Sequence, residues 1–501
     1  MRHLNFYDWI YNDNRGQVQR ILRYTVWAML ITTIALFKFR YHELWKDEWQ
    51  AWFVAKDMPL GQMLSFLYYE GHPSLWYIFL KIGAQFVALF KSSDVALQTL
   101  HCIPVGCALY MLIVRMRFSL PFATLLSLGY FMAFEYGVVN RGYALVIFFA
   151  LLTAYWIHEH IENNAWKIAL SLFFLCQTEL QGVFIAVLLT FYCFWKKESN
   201  QINFINRFRD NNIRLIFLGF LSGALLFTIT IFPRTNFDNL TRAFNDNTKI
   251  STLDAFYTAF QGLFANTFWI GAMSDTKAFG VNTYGLTLSC VVFLLLTLFF
   301  WSNKKLLTIW LLAVLLFMSF STFIFAGGVR QWGMFYLCFV VLLYINKGER
   351  SLLKLDKFLI LGSILAFQIF YSVLAFQRDW AYPFSNAAAA GAFIKEKVPN
   401  NVLVVAINKF YATPVLGYAN RSFIEMPNGE PFTYFKWLDK VYIPTENDLQ
   451  LYMQFKNVNG LVILSGQTLP ETQYPNLQFW TSFRNFNLKN ENYYLYQLKK
   501  K

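Results

Sequence analysis

Long apolar runs separated by short basic loops set the pattern of the chain from Ile21 to Phe376. A helix needs about 20 apolar residues to cross the hydrocarbon of a bilayer. On that measure spans are expected at about 21–39, 95–114, 118–134, 142–157, 165–180, 182–195, 213–233, 284–301, 306–326, 333–346 and 357–376. One further apolar stretch, 74–90, is interrupted by Lys81 and Gln85 at helical spacing. It is expected to lie along the interface as an amphipathic helix, because spanning would strand the lysine at mid-bilayer, at a cost of about 2–3 kcal/mol.

The basic residues orient the spans. Arg15, Arg20 and Arg23 precede the first one and place the N-terminus in the cytoplasm. The later cytoplasmic connections then hold Arg115 and Arg117, Lys167, the group Lys196, Lys197, Arg207, Arg209 and Arg214, the pair Lys304 and Lys305, and finally Lys347, Arg350, Lys354 and Lys357. Eleven spans carry 377–501 to the far side. There the periodicity changes. "AAAAGAFIKEKVPNNVLVVAI" reads as a helix, a Pro-Asn turn and a buried strand, and "GLVILS" and "NYYLYQL" read as further strands. The expected fold is an all-α polytopic membrane domain over 1–376, of about 11 transmembrane helices plus juxtamembrane helices, followed by a small soluble α/β domain over 377–501. The long loop 234–283 holds Arg234, Asp238, Arg242 and Asp246 and is expected to include an aromatic segment that lies on the membrane.

Composition agrees. A chain of 501 residues that is 56% hydrophobic and 14% charged is too apolar for a soluble enzyme. The first run follows a polar stretch and has no small-residue cleavage site, so it reads as a retained helix. The net charge of +14 lies largely in short loops, where membrane orientation accounts for it, and no nucleic-acid partner is expected. All six cysteines fall inside apolar segments, so no disulfide framework is implied.

The outer face of this map collects the unusual polar residues. Its first loop holds the adjacent pair Asp47 and Glu48, then "YYEGHPSLWY" with Glu70 and His72. Its second is "EYGVVNRGY", with Glu135, Asn140, Arg141 and Tyr143, and its last is "AGGVRQWG", with Arg330. Each has a plain alternative. Adjacent carboxylates in a loop are ordinarily solvated charge, and an arginine beside a span can snorkel to headgroups. Pro73 can simply start a helix, and Glu179 and Gln181 between spans read as turn residues. "HEH" at 158–160 lacks the i, i+4 spacing of a zinc helix.

Their order is what carries meaning. Asp47-Glu48 after the first span, Gly71-His72-Pro73-Ser74 before an interfacial helix, and Arg141-Gly142-Tyr143 before a later span resemble the GT-C superfamily of polyprenyl-phosphate-sugar-dependent glycosyltransferases, in particular protein O-mannosyltransferases and aminoarabinose transferases. The resemblance covers roughly residues 20–160. Ser74 stands where many relatives have a second proline, and Gln98 where the mannosyltransferases have an arginine near the donor phosphate, with His101 one turn later. The resemblance implies an inverting glycosyltransferase of the inner (cytoplasmic) membrane, with a polyprenyl-phosphate sugar donor, an extracytoplasmic acceptor and membrane lipids as partners. Asp47 would be the base, with Glu48 orienting the acceptor or a water, or ligating a divalent metal ion if one is used. Arg141 and Arg330 would clamp the phosphate, and His72, Glu70, Gln98, His101 and Tyr143 would complete the substrate contacts. The rival classes are a transporter or flippase, in which buried charges mark a path, and a receptor that works through its soluble domain.

Overall fold

The structure, a computed structural model, describes residues 10–11, 16–195, 209–231, 251–270, 283–325, 327–346, 355–437, 442–484, 487–488 and 491–500. Arg15, Lys196, Lys197, Arg207, Arg234, Asp238, Arg242, Asp246, Lys347, Arg350 and Lys354 lie outside the described residues. The chain divides into two compact units. The first comprises 1–36, 71–76 and 101–376, and the second 37–70, 77–100 and 377–501.

The helices of the apolar part are α1 (Gln17–Tyr41), α2 (Lys46–Asp57), α3 (Leu60–Glu70), α4 (Ser74–Ala84), α5 (Ser93–Tyr110) and α6 (Leu120–Leu128). They continue with α7 (Tyr143–His158), α8 (Ile161–Cys176), α9 (Leu180–Trp195), α10 (Asn211–Ile231), α11 (Thr252–Gln261), α12 (Thr283–Phe300), α13 (Lys304–Phe323), α14 (Val329–Ile345) and α15 (Leu355–Ala381). Among the described residues six are long and apolar enough to cross a membrane: α1, α5 with its extension to Arg115, α10, α12, α13 and α15 from Lys357. The chain is a multi-pass membrane protein.

Two details refine the periodic reading, and a third agrees with it. The expected span 118–134 is broken: α6 starts at Ser119, whose hydroxyl accepts from the Phe122 N–H, and stops at Gly129. A π-helical turn, Phe131–Glu135, then carries Glu135; such turns recur at functional sites. The aromatic part of the long loop 234–283 is helical: it holds α11, which runs on as π-helix over Gly262–Ile270. Its aromatic side chains at 256, 257, 260, 264 and 268 follow helical spacing, which a reading based on span length passes over. α4 has 11 residues, about 16 Å of rise, too short for a span. Lys81 on it donates to the Ala55 and Met58 carbonyls at 3.1 and 2.5 Å, beside the end of α2, where a cation is favoured.

In the first unit α10 packs closely on α8. Gly219 and Gly223 sit one turn apart, and a Cβ at Gly219 would lie 2.5 Å from the Ala169 carbonyl oxygen. Small residues at this spacing let two membrane helices touch backbone to backbone.

In the second unit α16 (Ala387–Lys397), β1 (Leu403–Ala406), α17 (Lys409–Ala419), β2 (Phe423–Glu425), β3 (Glu430–Phe432), α18 (Glu446–Lys456), β4 (Gly460–Ser465), β5 (Gln478–Phe483) and β6 (Tyr493–Lys499) form an α/β fold. The sheet order is β3-β2-β1-β4-β6-β5, with β1 parallel to β2 and β4 and the other pairs antiparallel. Helices here use local signals. Asn408 caps α17 by accepting from the Phe410 N–H, and α17 and α18 end at Asn420 and Asn457 in left-handed conformation. Val405, Leu449, Met453 and Ile463 lie at the centre of the apolar core. α17 also meets α2 closely, since a Cβ on Gly417 would lie 2.5 Å from the Trp49 ring.

Gly219→Val is expected to lower the thermal unfolding temperature in detergent, at an overpacking cost of about 1–3 kcal/mol. An unchanged temperature would mean that α8 and α10 can part without loss.

Candidate functional site

In the first unit His72, Arg141 and Glu179 form a chain of contacts. His72 Nδ1 lies 2.7 Å from Glu179 Oε2, and the Arg141 guanidinium lies 3.0 Å from His72 Nε2. A guanidinium only donates, so Nε2 is the acceptor and Nδ1 carries the proton that goes to Glu179. The glutamate is buried and Arg141 is half-buried. The direction of the arginine is thus set through the imidazole. His101, fully buried, holds the Arg141 carbonyl at 3.2 Å and packs edge-on against Trp76. Gly142 makes this fit possible: a Cβ there would lie 3.1 Å from Glu179 Oε1 and 3.2 Å from Trp76.

The other arginine is differently placed. Arg330, on the first turn of α14, pairs with Glu135 at 2.5 Å. Glu135 also accepts from the Tyr130 hydroxyl, and the Tyr136 hydroxyl donates to the Arg330 carbonyl. The Tyr143 hydroxyl accepts from Gln331 and lies within electrostatic reach of Arg141, Arg330, Glu135 and Glu179.

In the second unit the acidic pair opens α2. Trp45 is the N-cap residue, and Glu48 reaches back to accept the Trp45 N–H at 2.9 Å. This is half of a capping box. Glu48 is fully buried, with its other oxygen 3.4 Å from His42 Nε2, whereas Asp47 is half-buried. His42 Nδ1 lies 2.8 Å from Asp379. Burial pulls the imidazole down, but the Asp379 and Glu48 carboxylates outweigh it and hold it up at about 9, so His42 is a buried cation. Gln98 donates to the Lys38 and His42 carbonyls, tying down the end of α1. Glu70 accepts from Gln50 at 2.7 Å and from Tyr77 at 3.1 Å.

Several of these residues were not candidates on sequence grounds. Glu179 reads there as a turn residue, yet it fixes His72; its signal was that the topology map puts it on the same face as His72. His42, Glu43 and Asp379 flank the ends of α1 and α15, where charge beside a span is ordinarily unremarkable. Burial raises the Glu43 carboxyl to about 7, aided by Asp379 and opposed by the Ala388 N–H. Among the described residues no three His, Cys, Asp or Glu side chains gather into a metal-ligating group.

The described residues form a bundle of apolar helices and a C-terminal α/β fold. No protein-family model and no curated protein sequence matches the chain. Among solved structures it is similar to ArnT from Cupriavidus metallidurans bound to undecaprenyl phosphate, at 9% identity with a TM-score of 0.53, over 96% of this chain and 98% of that one. It is also similar to the apo state of ArnT, at 12% identity with a TM-score of 0.50, over 94% and 98%. The likeness is one of fold, and that fold is the one the sequence resemblance implied.

The buried charges make stability depend on pH. Burial raises the Glu491 carboxyl from 4.5 to about 7, partly offset by Lys46, Tyr493 and Ser385. The folded chain therefore holds this proton more tightly than the unfolded chain, a contribution present below pH 4.5 and lost as pH rises through 7. It amounts to roughly 3 kcal/mol, at about 1.4 kcal/mol per tenfold in proton affinity. The His42 contribution is full below 6.5 and is lost as pH rises through about 9. Unfolding temperature should fall between pH 5 and 9, and Glu491→Gln should flatten the lower part of that fall. A profile that rises with pH would contradict both assignments.

Proposed function

We propose that the chain is an integral-membrane, inverting glycosyltransferase of the inner membrane, moving a sugar from a polyprenyl-phosphate-linked donor onto an extracytoplasmic acceptor. The observation that carries this reading is Arg141, aimed through His72 by Glu179, in a chain with the fold of a protein crystallised with undecaprenyl phosphate.

Polyprenyl phosphate is already a stabilised leaving group, so transfer from it needs no acid to protonate the departing oxygen. It needs a base for the acceptor hydroxyl and a cation for the charge that grows on phosphate. Asp47 takes the proton, the acceptor oxygen bonds to the anomeric carbon, and the carbon–oxygen bond to phosphate breaks with its electron pair left on the phosphate. One displacement inverts the carbon. Arg141 receives the phosphate, with His72 beside it. Arg330 has its charge matched by Glu135 and serves the field around Tyr143. Glu48, Gln98, His101 and Glu70 act as positioning residues, because each hydrogen-bonds to another part of the protein. Residues 377–501 belong on the extracytoplasmic side.

The test uses the full-length protein in nanodiscs, with undecaprenyl phosphate binding read by native mass spectrometry. Arg141→Ala should weaken binding about 10- to 100-fold, the worth of one charged hydrogen bond, and Glu179→Gln several-fold. Asp47→Asn should leave donor binding intact yet abolish the product seen by mass spectrometry of envelope lipids and glycoproteins in cells. A wild-type chain that does not bind undecaprenyl phosphate, or an Asp47→Asn variant that still makes the product, ends this reading. So does a cysteine in 377–501 that labels only from the cytoplasm.

A further inference from the structure

Lys46 is 7% exposed, and among the described residues its ammonium has aromatic rings beside it but no hydrogen-bond or ion-pair partner. It lies 4.3 Å from the centre of the Phe410 ring and 5.5 Å from that of Trp45. Glu491 is 1% exposed, and its Oε2 accepts from Ser385 and Tyr493. Its Oε1 is buried with no hydrogen-bond partner. Lys46 and Asp47 both act electrostatically on Glu491, but Lys46 forms no ion pair with it. An ammonium over aromatic rings and a buried carboxylate oxygen without a hydrogen bond thus act on one neighbourhood.

The chemistry of a ligand there follows. A phosphate only accepts, so it would satisfy Lys46 while setting its charge against Glu491 and Asp47. An ammonium only donates, so it would satisfy Glu491 and repel Lys46. A hydroxyl does both. The surroundings are aromatic: Phe410 packs edge-on against Trp437, which is 38% exposed, with ring centres 5.0 Å apart. A pyranose presents hydroxyls at its rim and C–H bonds on its face, and so matches both features.

We infer that Lys46, Glu491, Trp45 and Phe410 form a subsite for a neutral sugar of the acceptor, next along the chain from the base Asp47, so that the group receiving the transferred sugar is a carbohydrate hydroxyl. This rests on the glycosyltransferase reading above.

The test is saturation-transfer difference NMR on the full-length protein in detergent micelles, with maltotriose, mannotriose and chitotriose as neutral probes and inorganic phosphate as competitor. Undecaprenyl phosphate binding is measured on the same preparation, so failure of the donor reading shows separately. At least one trisaccharide should bind and resist displacement by phosphate. Lys46→Met, which keeps the length of the side chain and removes the charge, should weaken it at least tenfold, and Glu491→Gln at least threefold, in variants whose unfolding temperature shows them folded. The subsite is overturned if no trisaccharide binds, which would leave water as the partner of these groups. It is equally overturned if phosphate displaces the sugar, or if the folded Lys46→Met variant binds as the wild type does.

Discussion

A positive charge buried between two carboxylates fixes the register of the second unit. His42 contacts Asp379 at 2.8 Å and Glu48 at 3.4 Å, and all three are buried. Taking such ions out of water is costly, and deleting one partner from a buried pair leaves a loss of about 3–5 kcal/mol. The end of α1, the first turn of α2 and the last turn of α15 are therefore held to one geometry, and Gln98 adds its hold on the His42 carbonyl. Everything placed on the first turn of α2, Asp47 included, inherits that geometry.

The first unit obeys the same rule with a different outcome for each arginine. Arg330 meets a carboxylate directly, so its charge is matched within the protein. Arg141 meets an imidazole whose lone pair accepts one N–H, while the carboxylate stands one residue further off, on Glu179. The guanidinium is thereby oriented through the imidazole. An anion binder gains from such orientation, since a fixed direction lowers the ordering cost of binding.

Much of the fold was legible because burying a helix in lipid demands a long apolar run, and such runs are plain in the sequence. The readings that failed lie where that demand relaxes. α11 is shielded by neighbouring helices such as α13 and α12 and needs no span-length run. Gly129 stops α6 inside an apolar segment, where only its lack of a side chain marks it. The neighbouring strands β2 and β3 have three residues each, too few for alternation to declare itself. Of the candidate site, the charged residues on the outer loops could be named from order alone. Their partners could not. Glu179 and Asp379 are distant in sequence from the histidines they orient, and nothing in a linear pattern distinguishes a carboxylate that meets a histidine from one that meets water.

The two adjacent carboxylates of α2 show how position divides labour between similar groups. At the third helical position Glu48 has the length to reach back to the Trp45 N–H, and the helix N-terminus favours its charge there. Burial completes its commitment to the protein. Asp47 stands one position earlier on a side chain one methylene shorter, and it remains half-buried. A base must reach an incoming hydroxyl, so it cannot also be the group that pins its own helix. In a short helix held by buried charge, the pinning falls to the longer residue and reactivity is left to the shorter one.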